Sequence, residues 1–348
     1  MNLHTIKVRL QEHLSDGLVT IVGSGLSCAE GLPGMGELAT HLQKKVATGL
    51  SGADVTTWAS ASALFSTKGL EGALLAVPPT PALELAIASA TGELIAERER
   101  DVVSELFAGK RTLRLTRLLA HLVKPPTGLT IVTTNYDRLV EIAAEEAGIG
   151  ADTMFFGRFA GELNERESRM SFCRDVTIKP RRTAATLHYR QRALVCKPHG
   201  SLDWYMRAGR PVFYAGDLPD AVRLIITPGH NKFRNGYESP FDLHRSRAND
   251  AIDRAGRFLV IGYGFNDDHL ETHLSPCIKG GKPTLMLTRS LSQVARKLAL
   301  MHANVMALEH AEVDGVSGTK VIVEKNEFFF PGSGMWDVGS FVTEVLEP

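Results

Sequence analysis

The sequence predicts an α/β chain built on a doubly wound parallel sheet, and three features predict it. Short apolar, β-branched runs such as Leu18-Val19-Thr20-Ile21-Val22 and Leu129-Thr130-Ile131-Val132-Thr133 have the character of strands buried on both faces. Each runs into a glycine-rich or polar turn and then into helical spacing, the alternation that a parallel sheet requires. With 348 residues, 44% of them hydrophobic, the chain can bury one large core or two modest ones, which excludes a small disulfide-stapled fold and a disordered chain.

After the first strand, Gly23-Ser24-Gly25-Leu26-Ser27 forms a turn, and from Gly36 the residues Leu38, Leu42 and Val46 recur at helical spacing. From about 47 to 123 the pattern is helical and rich in Ala, Leu and Glu, broken by a loop at Val77-Pro78-Pro79-Thr80-Pro81. Its last stretch, about 97 to 122, sets Val102, Leu106, Leu113 and Leu119 among Arg98, Arg100, Arg111, Arg114 and Arg117, which predicts a solvated helix face. The second strand leads through Thr134-Asn135-Tyr136-Asp137 to a helix with Tyr136, Leu139, Val140, Ala143 and Ala147 on one side. A second insertion, about 148 to 192, carries Lys179, Arg181, Arg182, Arg190 and Arg192 and is also expected to be helical. Further strands are expected at Ala193-Leu194-Val195-Cys196-Lys197, Val222 to Thr227, Phe258 to Tyr263 and Thr284 to Thr288. Asp267 and Asp268 suit a helix amino terminus, and Ser290 with Gln293 forms a capping box for a helix bearing Leu291, Val294 and Leu298. The expected organisation is one domain, 1–348, with a core over about 1–46, 124–147 and 193–348 and helical insertions over 47–123 and 148–192.

Composition narrows the function. Lys plus Arg and Asp plus Glu each number 39, so no global charge holds a polyanion or an anionic membrane, and any nucleic acid must use a local patch. The cysteines Cys28, Cys173, Cys196 and Cys277 are never paired as C-x-x-C, which argues against a zinc module and for inert core thiols in a reducing cytoplasm. The amino-terminal stretch mixes charges into every turn, unlike a secretory signal, and no apolar run is long enough for a bilayer. Aromatic residues make up 7% and the tryptophans are scattered, so no stacking platform stands out.

The unusual polar residues fall at the carboxyl ends of predicted strands, where an open α/β sheet binds its ligand. Gly23 and Gly25 allow a tight turn and a close approach of backbone amides to a phosphate. The third glycine of the dinucleotide fingerprint is replaced by Cys28, and Gln43, Lys44 and Lys45 stand where its acid is expected, which counts against an ordinary dehydrogenase. Asn135 and Asp137 suit a helix cap as well as a site. His199, between Pro198 and Gly200, suits a satisfied core histidine or a general base.

In order, Gly23-Ser24-Gly25-Leu26-Ser27, Gly31-Leu32-Pro33, Thr133-Thr134-Asn135-Tyr136-Asp137, His199-Gly200 and Gly262-Tyr263-Gly264 resemble the sirtuin motifs GAGxS, GIP, TQNxD and HG with a late glycine turn. The chain looks most like the bacterial SIR2-like proteins of antiphage defence, in which TTNYD-type and GYGFNDDH-type turns recur, and the likeness spans most of the chain outside the insertions. Two departures stand out. The four-cysteine zinc module of sirtuin deacylases is missing, and Gly34-Met35-Gly36 replaces the Asp-Phe-Arg segment that follows GIP.

The resemblance implies a Rossmann-like core without zinc and an NAD+ glycohydrolase that releases nicotinamide and ADP-ribose, with NAD+ as substrate and no true cofactor. It implies that Asn135 holds the ribose hydroxyls and the attacking water, that His199 is the general base, and that Asp137 orients Asn135 or meets the nicotinamide end. Gly23, Ser24, Gly25 and Ser27, with Thr134, would carry the phosphates, and Gly262, Gly264 and Asn266 the adenosine side. It implies an antiviral effector restrained by homo-oligomerisation or by a partner such as a HerA-type ATPase or an Argonaute-like protein. Two alternatives stay open: a nucleic-acid-acting effector using the basic cluster of the second insertion, and a zinc-free deacylase or ADP-ribosyltransferase.

Overall fold

The computed structural model describes residues 1–177, 185–216, 218, 221–227 and 238–347. Helix α1 (Leu3–His13) precedes β1 (Leu18–Val22), then α2 (Ser24–Ala29) and α3 (Met35–Val46). A helical layer follows: α4 (Ala53–Ser62), α5 (Phe65–Ala76), α6 (Pro81–Phe107) and α7 (Arg114–His121). Next come β2 (Leu129–Thr133), α8 (Leu139–Glu146), β3 (Gly150–Asp152), β4 (Phe155–Phe156), β5 (Ala160–Leu163), α9 (Glu165–Ser171), β6 (Cys173–Thr177) and β7 (Thr186–Tyr189). Strands β8 (Arg192–Cys196), β9 (Gly200–Arg207), β10 (Arg210–Tyr214) and β11 (Arg223–Ile225) lead to α10 (Phe241–Arg254). The last third alternates β12 (Arg257–Ile261), α11 (Asp268–Lys279), β13 (Thr284–Thr288) and α12 (Gln293–Met301). Antiparallel strands β14 (Val305–Val313), β15 (Val316–Val323) and β16 (Asn326–Pro331) then precede α13 (Val338–Phe341), which continues as a π-helical turn to Leu346.

The main sheet has nine strands in the order β16-β15-β14-β13-β12-β1-β2-β8-β3, parallel from β14 to β3. Alternation along each strand assigns its two faces. Val22, Leu259, Ile131 and Leu287 face a core closed by α1, α7, α8 and the carboxyl-terminal helix. Ile21, Val260, Val132 and Met286 face a second core closed by α10, α11 and α12. A third core, with Leu42, Trp58, Leu74, Leu83 and Ile87 at its centre, belongs to the helical layer. Strand order reverses around β1, whose neighbours β2 and β12 come from the middle and the late part of the chain, and this is where an α/β sheet opens a crevice. Val22 is level with both Thr133 and Ile261, so the turns that follow β1, β2 and β12 emerge side by side.

Several expectations need correction. Among the described residues of 148–192, strand exceeds helix: β4 and β5 join β10, β9 and β11 in a five-stranded antiparallel sheet, β6 pairs with β7, and α9 is the one helix there. Phe155 of β4 packs its ring 5.1 Å from that of Trp204 of β9, so the sheet shares a buried aromatic contact. Residues 97–122 are not one helix, because the chain turns at Gly109 (φ 66°) between α6 and α7. The arginines there are paired rather than merely solvated: Arg111 and Arg114 reach the buried Glu30 at 2.5 and 3.2 Å, and Arg117 reaches Glu347 at 2.7 Å. Tyr136 lies before α8, not on it. Ser292, not Ser290, caps α12 through the Ala295 amide, because the Leu291 amide is engaged by Glu309 at 3.1 Å and holds the chain extended for two more residues. Cys28 is exposed, unlike the buried Cys196.

Candidate active site

Four strand-end turns line one cavity of about 210 Å³. Gly23, Ser24 and Ser27 come from the turn after β1, and Thr134, Asn135, Tyr136 and Asp137 from the turn after β2. His199 follows β8, and Tyr263, Gly264, Asn266 and Asp267 follow β12. Gly25 and Gly262 do not line the cavity; they lock two of its turns together. The Gly25 amide donates to the Gly262 carbonyl at 3.0 Å, and a Cβ on Gly25 would sit 2.7 Å from Gly262 Cα. A Cβ on Gly23 would sit 2.5 Å from the Gly262 carbonyl oxygen, and Gly262 itself has a φ of 57°. These glycines are therefore required by backbone-to-backbone contact.

Asn135 is the hub of a buried relay. Its Nδ2 donates to the Gly23 carbonyl at 3.0 Å and to Ser27 Oγ at 2.7 Å, and that hydroxyl donates to Asp137 Oδ2 at 2.7 Å. The other oxygen of Asp137 accepts the Leu139 amide at 3.1 Å, so Asp137 holds the turn leading into α8 and terminates the relay. With both amide hydrogens engaged, the orientation of Asn135 is fixed, and Oδ1 is left as its acceptor for a ligand.

Asp267 was missed as a site residue. Its Oδ1 caps α11 through the amides of His269 and Leu270, as the aspartate pair in the sequence suggests, but its Oδ2 lies 2.5 Å from His199 Nε2, off the line of an ideal hydrogen bond. His199 is thus oriented by Asp267, while Asp137 serves Asn135.

Lys197 was missed as well. Fully buried, its Nζ donates to the Asp137 carbonyl at 2.5 Å, the Tyr136 carbonyl at 3.4 Å and Glu141 Oε1 at 2.9 Å. The Tyr136 carbonyl also accepts the Leu202 amide at 3.0 Å, so the asparagine and histidine turns are tied on both sides. Burial pushes the Glu141 carboxyl up against the opposing pull of Lys197. In neither case did residue type or spacing carry the signal, because the partners lie far away in the chain.

Three side chains of the basic cluster, Lys179, Arg181 and Arg182, lie outside the described residues. Arg192 does not belong to a surface patch. It is buried, donates to the carbonyls of Pro126 and Thr127, and stacks 4.8 Å from the Tyr189 ring centre. Among the described residues no group of His, Cys, Asp and Glu is arranged to hold a metal ion, and no helix is long and apolar enough to cross a membrane.

A family model described as SIR2-like domain matches residues 129–305, just over half of the chain, from β2 to the start of β14. Among solved structures, a complex of a Sir2 homologue mutant with ADP-ribose is 14% identical with a TM-score of 0.42, over 85% of this chain and 88% of that one. A Sir2 homolog–NAD complex is 15% identical with a TM-score of 0.41, over 83% and 84% of the two chains. Sir2 bound to an acetylated peptide is 12% identical with a TM-score of 0.37, over 84% and 89%. No curated protein matches the chain.

Proposed function

The chain belongs to the SIR2-like domain family, and on that premise we propose that it is an NAD+ glycohydrolase. The observation that carries the reading is the convergence of Asn135, with its amide fixed, and His199, with Asp267 behind it, on one cavity beside the start of α2. Pockets for drug-sized ligands span roughly 300–1,000 Å³, so a cavity of about 210 Å³ suits one end of a dinucleotide, the nicotinamide and its ribose.

In the proposed reaction the bond between the ribose anomeric carbon and the nicotinamide nitrogen breaks, and its electron pair leaves with neutral nicotinamide. Water forms the new bond to that carbon and gives up one proton, so NAD+ and water yield nicotinamide, ADP-ribose and a proton. Asn135 Oδ1 would accept from a ribose hydroxyl or from the attacking water. His199, with Nε2 turned to Asp267, would take the proton at Nδ1. Ser24, at the amino terminus of α2, would lie toward the phosphates, whereas Ser27, whose hydroxyl donates to Asp137 and accepts from Asn135, would serve the relay rather than a phosphate, and Gly264 and Asn266 would lie toward the adenosine. The same reading extends, on the family likeness alone, to an antiviral effector in the cytoplasm restrained by self-assembly or by a partner ATPase.

Incubation with NAD+ followed by chromatography tests the reaction. Nicotinamide and ADP-ribose should appear in equal amounts, and Asn135→Ala and His199→Ala should each slow their release about a hundredfold or more. Undiminished release in both variants rejects the assignment. NAD+ turnover that requires an acylated peptide or a nucleotide acceptor would establish a deacylase or transferase instead. A change of specific activity across a dilution series reads the restraint by assembly.

A further inference from the structure

The strand-end turns form only part of the cavity wall. Helix α6 of the helical layer supplies Ile95 to the same wall, and one turn further along that face of the helix stands Glu99. Glu99 does not line the cavity. Its side chain is fully buried where α6 passes the turn after β2, and its partner there is Arg138. Oε2 accepts the Arg138 backbone amide at 2.5 Å, and Oε1 takes the guanidinium, from Nε at 2.7 Å and from Nη2 at 2.5 Å.

Arg138 directly follows Asp137 and precedes α8, so these contacts fix the far end of the asparagine turn. The near end is fixed from the sheet, where the Thr134 amide donates to the Val22 carbonyl at 3.3 Å, and the middle by Lys197 and the Leu202 amide. The arginine also donates from Nη1 to the Ala215 carbonyl at 3.1 Å. A buried charge is costly: burial pushes the Glu99 carboxyl up, and Arg138 opposes the shift. Docking of α6 does not require that charge, since Ile95, Ala96, Val102 and Leu106 already pack into the main core. What an apolar residue at position 99 could not do is receive an amide and a guanidinium from the turn that carries Asn135.

We infer that Glu99 is a positioning residue for nicotinamide release: it touches no ligand, and acts by holding, through Arg138, the turn that aims Asn135 Oδ1 into the cavity. The inference rests on the NAD+ reading of that cavity. Misplacing a reacting group by about 1 Å costs on the order of a hundredfold in rate, whereas the contacts that other turns make to the ligand remain.

The test compares turnover with binding, at a temperature set by thermal melts to lie well below each variant's midpoint. E99Q keeps an acceptor on one side only. It should lower kcat for nicotinamide release about 10- to 100-fold, with KM for NAD+ and the calorimetric Kd for ADP-ribose within about threefold. E99Q/R138Q should lose less than about twofold beyond E99Q, because the two side chains act as one unit. R138Q alone serves if E99Q does not fold, and should show the same split between kcat and KM. Arg98→Gln is the control from the preceding position of the helix: Arg98 makes an exposed pair with Glu37 at 2.7 Å, and its loss should leave kcat within about twofold. A folded E99Q with unchanged kcat, or one that loses kcat and ADP-ribose affinity equally, overturns the role of Glu99 alone. So do losses that multiply in the double variant, or an equal loss in R98Q. An unaltered protein that neither binds ADP-ribose nor releases nicotinamide overturns the NAD+ reading, and this role with it.

Discussion

His199 Nε2 lies 2.5 Å from Asp267 Oδ2, while the other oxygen of the same carboxylate caps helix α11. One residue therefore fixes the histidine and starts the helix, and substitution can separate the two duties. Asparagine caps a helix about as well as aspartate but has no charge to set against an imidazolium. Asp267→Asn should keep the thermal midpoint within a few degrees and lower kcat for nicotinamide release about 10- to 100-fold, with KM nearly unchanged. An unchanged kcat would leave Asp267 as a cap alone.

What was legible in the sequence, and what was not, follows from the range of the interactions. Strands β1, β2, β8, β12 and β13 are continuous apolar runs, and their carboxyl-end turns stand out because polar residues interrupt such runs abruptly. The alternation of strands and helices implies a parallel sheet, while the reversal of its order around β1 is set by pairings that only the folded sheet creates. The antiparallel extension through β14, β15 and β16 carried a readable signal, the Asp314-Gly315 pair with φ of 50° and 76° between two apolar strands. Lys197 was not legible in this way, and Gly262, which the late glycine turn marks as an adenosine contact, locks two turns instead. Lys197 finds its carbonyl partners some sixty positions earlier in the chain, and Gly262 must be glycine because of Gly23 and Gly25, a pairing only the folded sheet creates.

Lys197 should behave as a buried ion with several dependants. Lys197→Met leaves Glu141 without its cation and the carbonyls of Tyr136 and Asp137 without this donor, a loss expected to cost about 3–5 kcal/mol in urea unfolding. Pairing it with Glu141→Gln should recover part of that loss, giving a coupling of about 1–3 kcal/mol in a double-mutant cycle. Strict additivity would show that the two side chains do not depend on one another.

The glycine lock makes an equally direct prediction. In Gly262→Ala the new methyl would lie 2.6 Å from the Leu26 amide nitrogen on a backbone with φ of 57°, so the turns after β1 and β12 must part. The expected loss is about 2–4 kcal/mol, together with most of the NAD+ turnover. Gly36→Ala is the control. It adds a methyl to α3 with no neighbour within 4 Å, and should be neutral or stabilising by about 0.5–1 kcal/mol. Equal effects from the two substitutions would contradict the lock.

Two buried histidines should contribute to the loss of stability in acid. His13 donates from Nε2 to the Phe258 carbonyl at 2.8 Å, and burial brings its pKa down to about 4. His244 accepts the Lys197 amide at Nδ1 and packs 4.4 Å from the Trp204 ring, and burial, with the charge of Lys197, brings it down to about 3. Both are neutral in the folded protein and take up a proton near pH 6.5 once unfolded, so between pH 6.5 and about 4 the unfolded chain binds more protons and stability falls with pH. Each should contribute a loss of about 2 kcal/mol between pH 7 and pH 5. Urea unfolding at the two pH values checks the sum. His13→Gln, which keeps a donor for the Phe258 carbonyl but cannot become charged, should remove about half of the difference; an unchanged difference would show that protonation of His13 is not part of the acid transition.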